Sequence, residues 1–262
     1  MSFTNSYVAE APDVVSDADL YGPDPYDVNF IYSIPTELSS SKVHLVPFIP
    51  RLHIDAFLDG VRKKDSMFQY IPLAMEGPDD FLRFVESIMR RDVRNILFAI
   101  IDTTRPDLTR PTLGGSVAGA IGLAYTSSTA LTTEVGPVIV LPDFQRTHVG
   151  SHAVGLILRW ALELPSTSPP GLGMRRVVWT TGPTNASSNG LAIRMGFKYE
   201  GLIRWACTIH QVEGYPKEGG KPPREGDPMP GLPGRDSNLY AQCWDDWEGG
   251  GRELVEHAFA RV

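Results

Sequence analysis

The residues best placed for chemistry lie in one stretch, Leu141-Pro-Asp-Phe-Gln-Arg-Thr-His-Val-Gly-Ser-His-Ala153, which closes a β-branched run and opens an apolar helix. A strand that feeds a short loop and then a helix leaves first-turn amides without intrahelical acceptors, beside the positive end of the helix dipole. Such a turn, here at residues 145–152, suits a phosphate. It also reads as plain strand-to-helix punctuation, with Gly150 placed for close packing. The preceding run, Glu134-Val-Gly-Pro-Val-Ile-Val-Leu141, favours the anion site. Proline cannot donate to a central ladder, so Gly136-Pro137 predicts a bulge or local opening that frees backbone near Val138, Ile139 and Val140 for a ligand. A second cluster, Asn185-Ala-Ser-Ser188, precedes Gly196-Phe197. Asn185 is a preferred helix N-cap whose side-chain oxygen accepts from the amide of residue 187 or 188. Capping and ligand contact are compatible there, because Asn185 ends the strand beside the predicted opening.

The elements that must position these groups follow from hydrophobic periodicity. Lys42 to Ile49 alternates like a first strand. Helices are expected from Pro50 to about Lys64 and from Pro78, where proline and acids suit a helix start. Strands are expected at Ile96–Ile101, Ser116–Ser127 and Glu134–Leu141, then a helix from Val149 to Leu164. A strand at Arg176–Thr181, a helix at Asn185–Met195, strands at Gly201–Gln211 and Ser237–Trp244, and a helix at Glu253–Arg261 complete the chain. Residues 212–236 read as a Pro/Gly-rich loop insertion. This order is mixed α/β and fits one central sheet.

The bulk numbers set boundaries. The 262 residues carry a net charge of −7, from 31 acids and 24 bases. Residues 1–41 have no Lys or Arg but seven acids, Glu10, Asp13, Asp17, Asp19, Asp24, Asp27 and Glu37. Removing those seven leaves 24 acids against 24 bases, so residues 42–262 are neutral and show no bias towards nucleic acid. The acidic N-terminal arm, 1–41, reads as partly disordered, with Tyr21, Tyr26, Phe30, Ile31 and Tyr32 available to dock it. No apolar run reaches a membrane span, and the start lacks a secretory pattern. Cys207 and Cys243, in apolar strand-like surroundings, are expected as reduced thiols in a cytoplasmic protein, Cys207 as a buried structural one. No nucleic-acid, membrane or metal partner is expected, and a homodimer stays open.

Glu134 to Ala153, Arg176-Val-Val-Trp-Thr180, Asn185-x-x-Ser188, Arg194-Met-Gly-Phe197 and Glu200-Gly201 together resemble a GNAT acyltransferase. The resemblance is closest to the branch containing the ribosomal-protein N-acetyltransferases. It covers about 42–262 and is strongest over 133–205. It implies a single domain with a mixed, mostly antiparallel sheet flanked by helices, in which parallel strands four and five splay apart. Acetyl-CoA would lie in that splay, its pantetheine arm along Val138, Ile139 and Val140. Its pyrophosphate would sit on the loop after Gln145, on the amides of Arg146, Thr147, His148, Val149, Gly150 and Ser151, and Asn185 and Ser188 would flank the other side. One departure is His148, which stands where the family's loop carries its first glycine. A non-glycine residue there loses easy access to positive φ. His148 is then either a phosphate donor or a packing residue.

Acetyl transfer to an amine, which the resemblance implies, needs a free lone pair, yet an alkylammonium titrates near ~10.4. A base must take the proton, directly or through water. Glu134 is the candidate, eleven residues before Gln145, as the catalytic glutamate stands in histone acetyltransferases of this superfamily. Its alternative is an exposed strand-end carboxylate. Ser188 is the candidate proton donor to the leaving thiolate. The chain has Ala192 where many relatives place an acidic tyrosine, and Cys207 where the ribosomal branch can place a glutamate base. Tyr125 and Tyr199 are further candidate donors, and Trp205 falls on a strand that lines the acceptor side in the family. These absences keep a second reading alive, a catalytically inactive CoA-binding regulatory module. A third, a phosphate-binding protein of another architecture, requires a closed sheet at strands four and five. The acceptor is either a small amine or a protein N-terminus, enclosed by residues such as Phe68, Tyr70 and Trp205.

Overall fold

The apolar runs become eight strands of one sheet, in the order β1-β2-β3-β4-β5-β6-β8-β7. A computed structural model of the chain describes residues 3–9, 14–35, 38–75, 77–210 and 217–261; Glu10, Asp13 and Glu37 of the arm and residues 211–216 lie outside them. The strands are β1 (Leu38–Ser39), β2 (Val43–Pro47), β3 (Ile96–Asp102), β4 (Ser116–Ser127), β5 (Thr132–Val140), β6 (Arg176–Thr181), β7 (Lys198–Thr208) and β8 (Gly234–Cys243). Two-residue β1 precedes the first expected strand, so predicted strands four and five are β5 and β6. Every residue of β3 is buried, as a strand covered on both faces requires. The helices are α1 (Pro50–Val61), α2 (Pro78–Phe84), α3 (Val149–Leu162), α4 (Ala186–Arg194), a single turn α5 (Trp244–Asp246) and α6 (Arg252–Ala260). None is long and apolar enough to cross a membrane among the described residues.

All neighbouring strands are antiparallel except β5 and β6. Their parallel register has three rungs only, Thr132 with Arg176, Thr133 with Val177 and Glu134 with Val178. Beyond Glu134, β5 continues along β4 alone. There Val135 faces Leu123 and Val138 faces Ile121, so Gly136 and Pro137 together stand opposite Gly122. This is the bulge that the proline predicts: one extra residue bends β5 away and the sheet opens at its centre. The closed sheet that the third reading requires is absent.

Two expected strands are displaced. The pair runs over Lys198–Thr208 and Gly234–Cys243, so residues 234–236 belong to β8 rather than to the insertion. Cross-strand pairing of Thr208 with Gly234 and Cys207 with Arg235 overrides the loop-like composition there. Cys207 consequently sits half-buried on the edge strand rather than in the core, and Cys243 is half-buried too. The arm's described residues 14–35 lie against the domain. Arg83 donates to the Val15 carbonyl at 2.6 Å, and Arg51 to the carbonyls of Tyr21, Gly22 and Pro23. Of the residues expected to dock it, Phe30 and Tyr32 pack on the core while Tyr21 and Ile31 stay exposed. Val15 and Leu20 are buried in the core and Val28 and Ile34 pack against it, so apolar burial holds the arm together with the arginines that donate to its carbonyls.

Candidate active site

The opening between β5 and β6 leads into a cleft of about 1230 Å³. Val138, Ile139 and Val140 line it from β5, Gln145 to His148, Gly150 and Ser151 from the next loop, and Asn185, Ser187 and Ser188 from the opposite wall. Residues between Lys64 and Ile71, after α1, line it too, as do Leu254, His257, Ala258 and Ala260 of α6 and the following Arg261.

The three β5 residues are not equivalent. The Ile139 carbonyl faces β4, so close to Gly119 that a Cβ there would lie 2.0 Å from its oxygen. Alternation along the strand then turns the backbone groups of Val138 and Val140 to the open side, where β6 no longer pairs with them. The backbone groups free on the open side are therefore those of Val138 and Val140, while those of Ile139 are engaged with β4. Gln145 turns back, its amide donating to the Val140 carbonyl at 2.9 Å.

In the loop, the left-handed residue is Arg146, with φ 61°, while His148 adopts an ordinary helical φ of −64°. The turn thus forms without the missing glycine, with its left-handed residue two positions earlier. His148 Nε2 lies 3.3 Å from the fully buried Asp102 carboxylate, which accepts from it. This pairing favours the packing role for His148 over phosphate donation through Nε2. Val149 N donates to Thr147 Oγ1 at 3.3 Å. Its amide is therefore occupied, but those of Gly150 and Ser151 have no acceptor among the described residues. A Cβ on Gly150 would sit at 3.6 Å from Leu191 and 3.7 Å from Val140, two cleft walls. The glycine leaves this part of the cradle bare.

On the opposite wall Asn185 caps α4, its Oδ1 accepting from the Ser188 amide at 3.1 Å, as its residue type predicts. Asn185→Ala is expected to cost about 1 kcal/mol by loss of the cap, read as a lower Tm in thermal melts. The Ser188 hydroxyl accepts from Trp179 Nε1 at 3.0 Å, which leaves its own proton free. Trp179 is buried, as its type suggests for a core residue, yet it lines the cleft and orients Ser188. The signal for it in the sequence is that a buried indole N–H needs a partner, and a serine stands on the next helix.

Glu134 occupies the last rung before the strands part, just outside the cleft lining. The Thr180 hydroxyl donates to its carboxylate. Burial raises its pKa above the ordinary carboxylate value, although Thr180 pulls the other way. A carboxylate in this state is a stronger base than a solvated one. Tyr125, Tyr199 and Trp205 are exposed at the sheet's periphery and line no part of the cleft. Trp205 instead lies over Gly234, with Lys221 Nζ 4.9 Å from its ring. Residues 217–221 fold onto one cleft wall: Lys217 Nζ donates to the Phe68 carbonyl at 3.0 Å and Glu218 N to the Gln69 carbonyl at 3.0 Å.

Residues 42–198 match the family model described as an acetyltransferase (GNAT) domain. The chain belongs to that family. Solved structures share the fold at low identity. A GCN5-related N-acetyltransferase from Brucella melitensis is 18% identical, with 87% of each chain covered and a TM-score of 0.65. A putative acetyltransferase from T. thermophilus is 20% identical, with 87% of this chain and 98% of that one covered and a TM-score of 0.64. Mycobacterium smegmatis RimJ, in complex with CoA-disulfide, is 14% identical over 82% of this chain and 88% of its own, with a TM-score of 0.55. No curated protein sequence matches the chain.

Proposed function

We propose that this protein is an acetyl-CoA-dependent N-acetyltransferase that transfers an acetyl group to a primary amine by direct attack, with both substrates bound together. The observation that carries the reading is the opening of the sheet at Val138–Val140 opposite Asn185–Ser188, with the bare first turn of α3 at its mouth. These groups fit the ligand. Val138 and Val140 offer backbone donors and acceptors to an amide-bearing arm, and the amides of Gly150 and Ser151 offer a helix N-terminus to phosphates. Arg146 and Arg194, which also line the cleft, supply charge. Acetyl-CoA brings the acyl thioester electrophile when bound. Glu134 takes the proton from the acceptor ammonium, directly or through water, while Thr180 fixes the carboxylate. Ser188 holds a proton at Oγ for the departing sulfur, its orientation set by Trp179.

The test is release of free CoA in the presence of a panel of amines, amino acids and N-terminal peptides, with CoA binding measured separately. Acceptor-dependent release supports the reading, and Ser188→Ala is expected to reduce kcat by about 10²-fold at unchanged CoA affinity. Tight CoA binding with no transfer to any acceptor would overturn it in favour of the inactive binding module.

A further inference from the structure

We propose that Arg235, assisted by Lys217, forms an anion site behind the Phe68–Tyr70 wall of the cleft, so that the preferred amine acceptor carries a carboxylate. The inference rests on the transferase reading above and deepens it.

Its first support is the face of the sheet that Arg235 occupies. Thr180 pairs with Leu239 across β6 and β8, and side chains two apart on a strand share a face. Arg235, Ser237 and Leu239 therefore point to the same side as Thr180, whose hydroxyl holds Glu134. Arg235 stands four residues from that rung, roughly 13 Å along the strand at about 3.3 Å per residue. The base and the guanidinium thus belong to one face, at the end where β6 leaves the sheet.

The second support is the state of the guanidinium. Arg235 is 9% exposed, and its Nη1 donates to the Tyr70 carbonyl at 2.5 Å. Its Nε is buried with no partner, and among the described residues no carboxylate pairs with it. Other shielded arginines do have one: Arg90 and Arg91 both pair with the buried Glu86. The one acid beside Arg235 in sequence, Asp236, is taken by Lys221 at 2.5 Å and by the Trp205 amide. Taking a guanidinium out of water against a carbonyl alone is costly, and a carboxylate offsets that cost through charge-assisted, bidentate hydrogen bonds.

The third support is the surroundings. Tyr70 lines the cleft, and Gly182, whose added Cβ would lie 3.9 Å from Arg235 Nε, leads into Asn185 on the opposite wall. The guanidinium therefore packs directly behind Tyr70 of the cleft wall and beside Gly182, without itself lining the cleft. Lys217 reaches the Phe68 carbonyl, two residues from Tyr70, and burial lowers its pKa. Two cations are anchored on one short segment, and among the described residues no carboxylate pairs with either; Glu218, whose amide meets the Gln69 carbonyl between them, has an exposed side chain.

The experiment compares acceptors matched in everything but charge, with two arms that separate the sources of the carboxylate. Free amino acids are set against their amides, and peptides with Glu in the second or third position against the same peptides with Gln. For the wild-type protein kcat/KM is expected to be about tenfold higher for the carboxylate member of at least one arm, as a charged hydrogen bond warrants. Arg235→Gln is expected to bring that ratio to about one, whereas Arg235→Lys keeps part of it, a pattern that loss of the Tyr70 contact alone does not produce. Wild-type turnover with no carboxylate preference in either arm overturns the inference and leaves the transferase reading standing. If no acceptor is turned over, the same pairs are titrated calorimetrically into the CoA-loaded protein. Carboxylate-selective binding then upholds the anion site while the transferase reading fails, and unselective or undetectable binding overturns the anion site as well.

Discussion

Glu134→Gln is expected to lower kcat by about 10²- to 10⁴-fold, the range that loss of a positioned general base produces, with CoA affinity unchanged. The pH profile gives the independent check. A base acts as the carboxylate, so wild-type kcat/KM rises with pH through the pKa of Glu134. Burial raises that pKa, which places the limb above the ordinary carboxylate range. The glutamine variant loses the limb. Stability moves the other way. Because the folded state holds this proton more tightly than the unfolded chain, the contribution of Glu134 is fully present below the unfolded carboxylate pKa. It is lost as pH rises through the raised value. At neutral pH the variant is therefore expected to melt at or above the wild-type Tm, with Gln Oε1 still accepting from Thr180. A fall in Tm together with a small loss of kcat would mark Glu134 as structural.

Gly119→Val is the second large effect, and it acts through the backbone. A Cβ at this position would lie 2.0 Å from the Ile139 carbonyl oxygen and 3.1 Å from the Val140 Cα. Neither is the far end of a flexible side chain, so β4 and β5 must separate at the rungs that hold Val138 and Val140 to the open side. The expected cost is about 2–3 kcal/mol, in the range of overpacked cores. For a chain of this size that is a Tm lowered by roughly 4–12 °C. CoA binding, followed by titration, is expected to weaken in parallel. Gly231→Ala serves as the comparison, since nothing lies within 4 Å of its added Cβ. An unchanged Tm for Gly119→Val would show that β5 is not pinned against β4 as described.

The two variants mark the difference between what residue types dictate and what packing decides. Residue type alone fixes the bulge, because Pro137 cannot donate to a ladder wherever the strand lies. It fixes the Asn185 cap for the same local reason: side chain and accepting amide are three residues apart. The apolar periods place β3 and α3 to within a residue or two, since burial demands them irrespective of partners. The displaced ends of β7 and β8 show the limit, because those boundaries depend on pairing between segments far apart in sequence.

The site shows the same division at finer scale. That residues 138–140 face an opening is legible from the sequence; that Ile139 turns towards β4 while its neighbours do not depends on the register with Gly119 and Ala120. The glycine missing from the loop is a local signal. Its answer, Arg146 at positive φ and His148 drawn to Asp102, needs β3 beside α3. Trp179 orients Ser188 only because β6 and α4 pack together, and Arg235 meets Tyr70 across 165 residues. The sequence by itself determined the strand-turn-helix that makes an anion site, the bulge that opens the sheet and the cap that faces it, since each follows from backbone chemistry within a few residues. The tertiary structure alone decided which backbone groups are free, how strongly Glu134 holds its proton and that the buried Arg235 meets a carbonyl, with no carboxylate beside it among the described residues. Those depend on burial and on partners from distant segments, which no local pattern encodes.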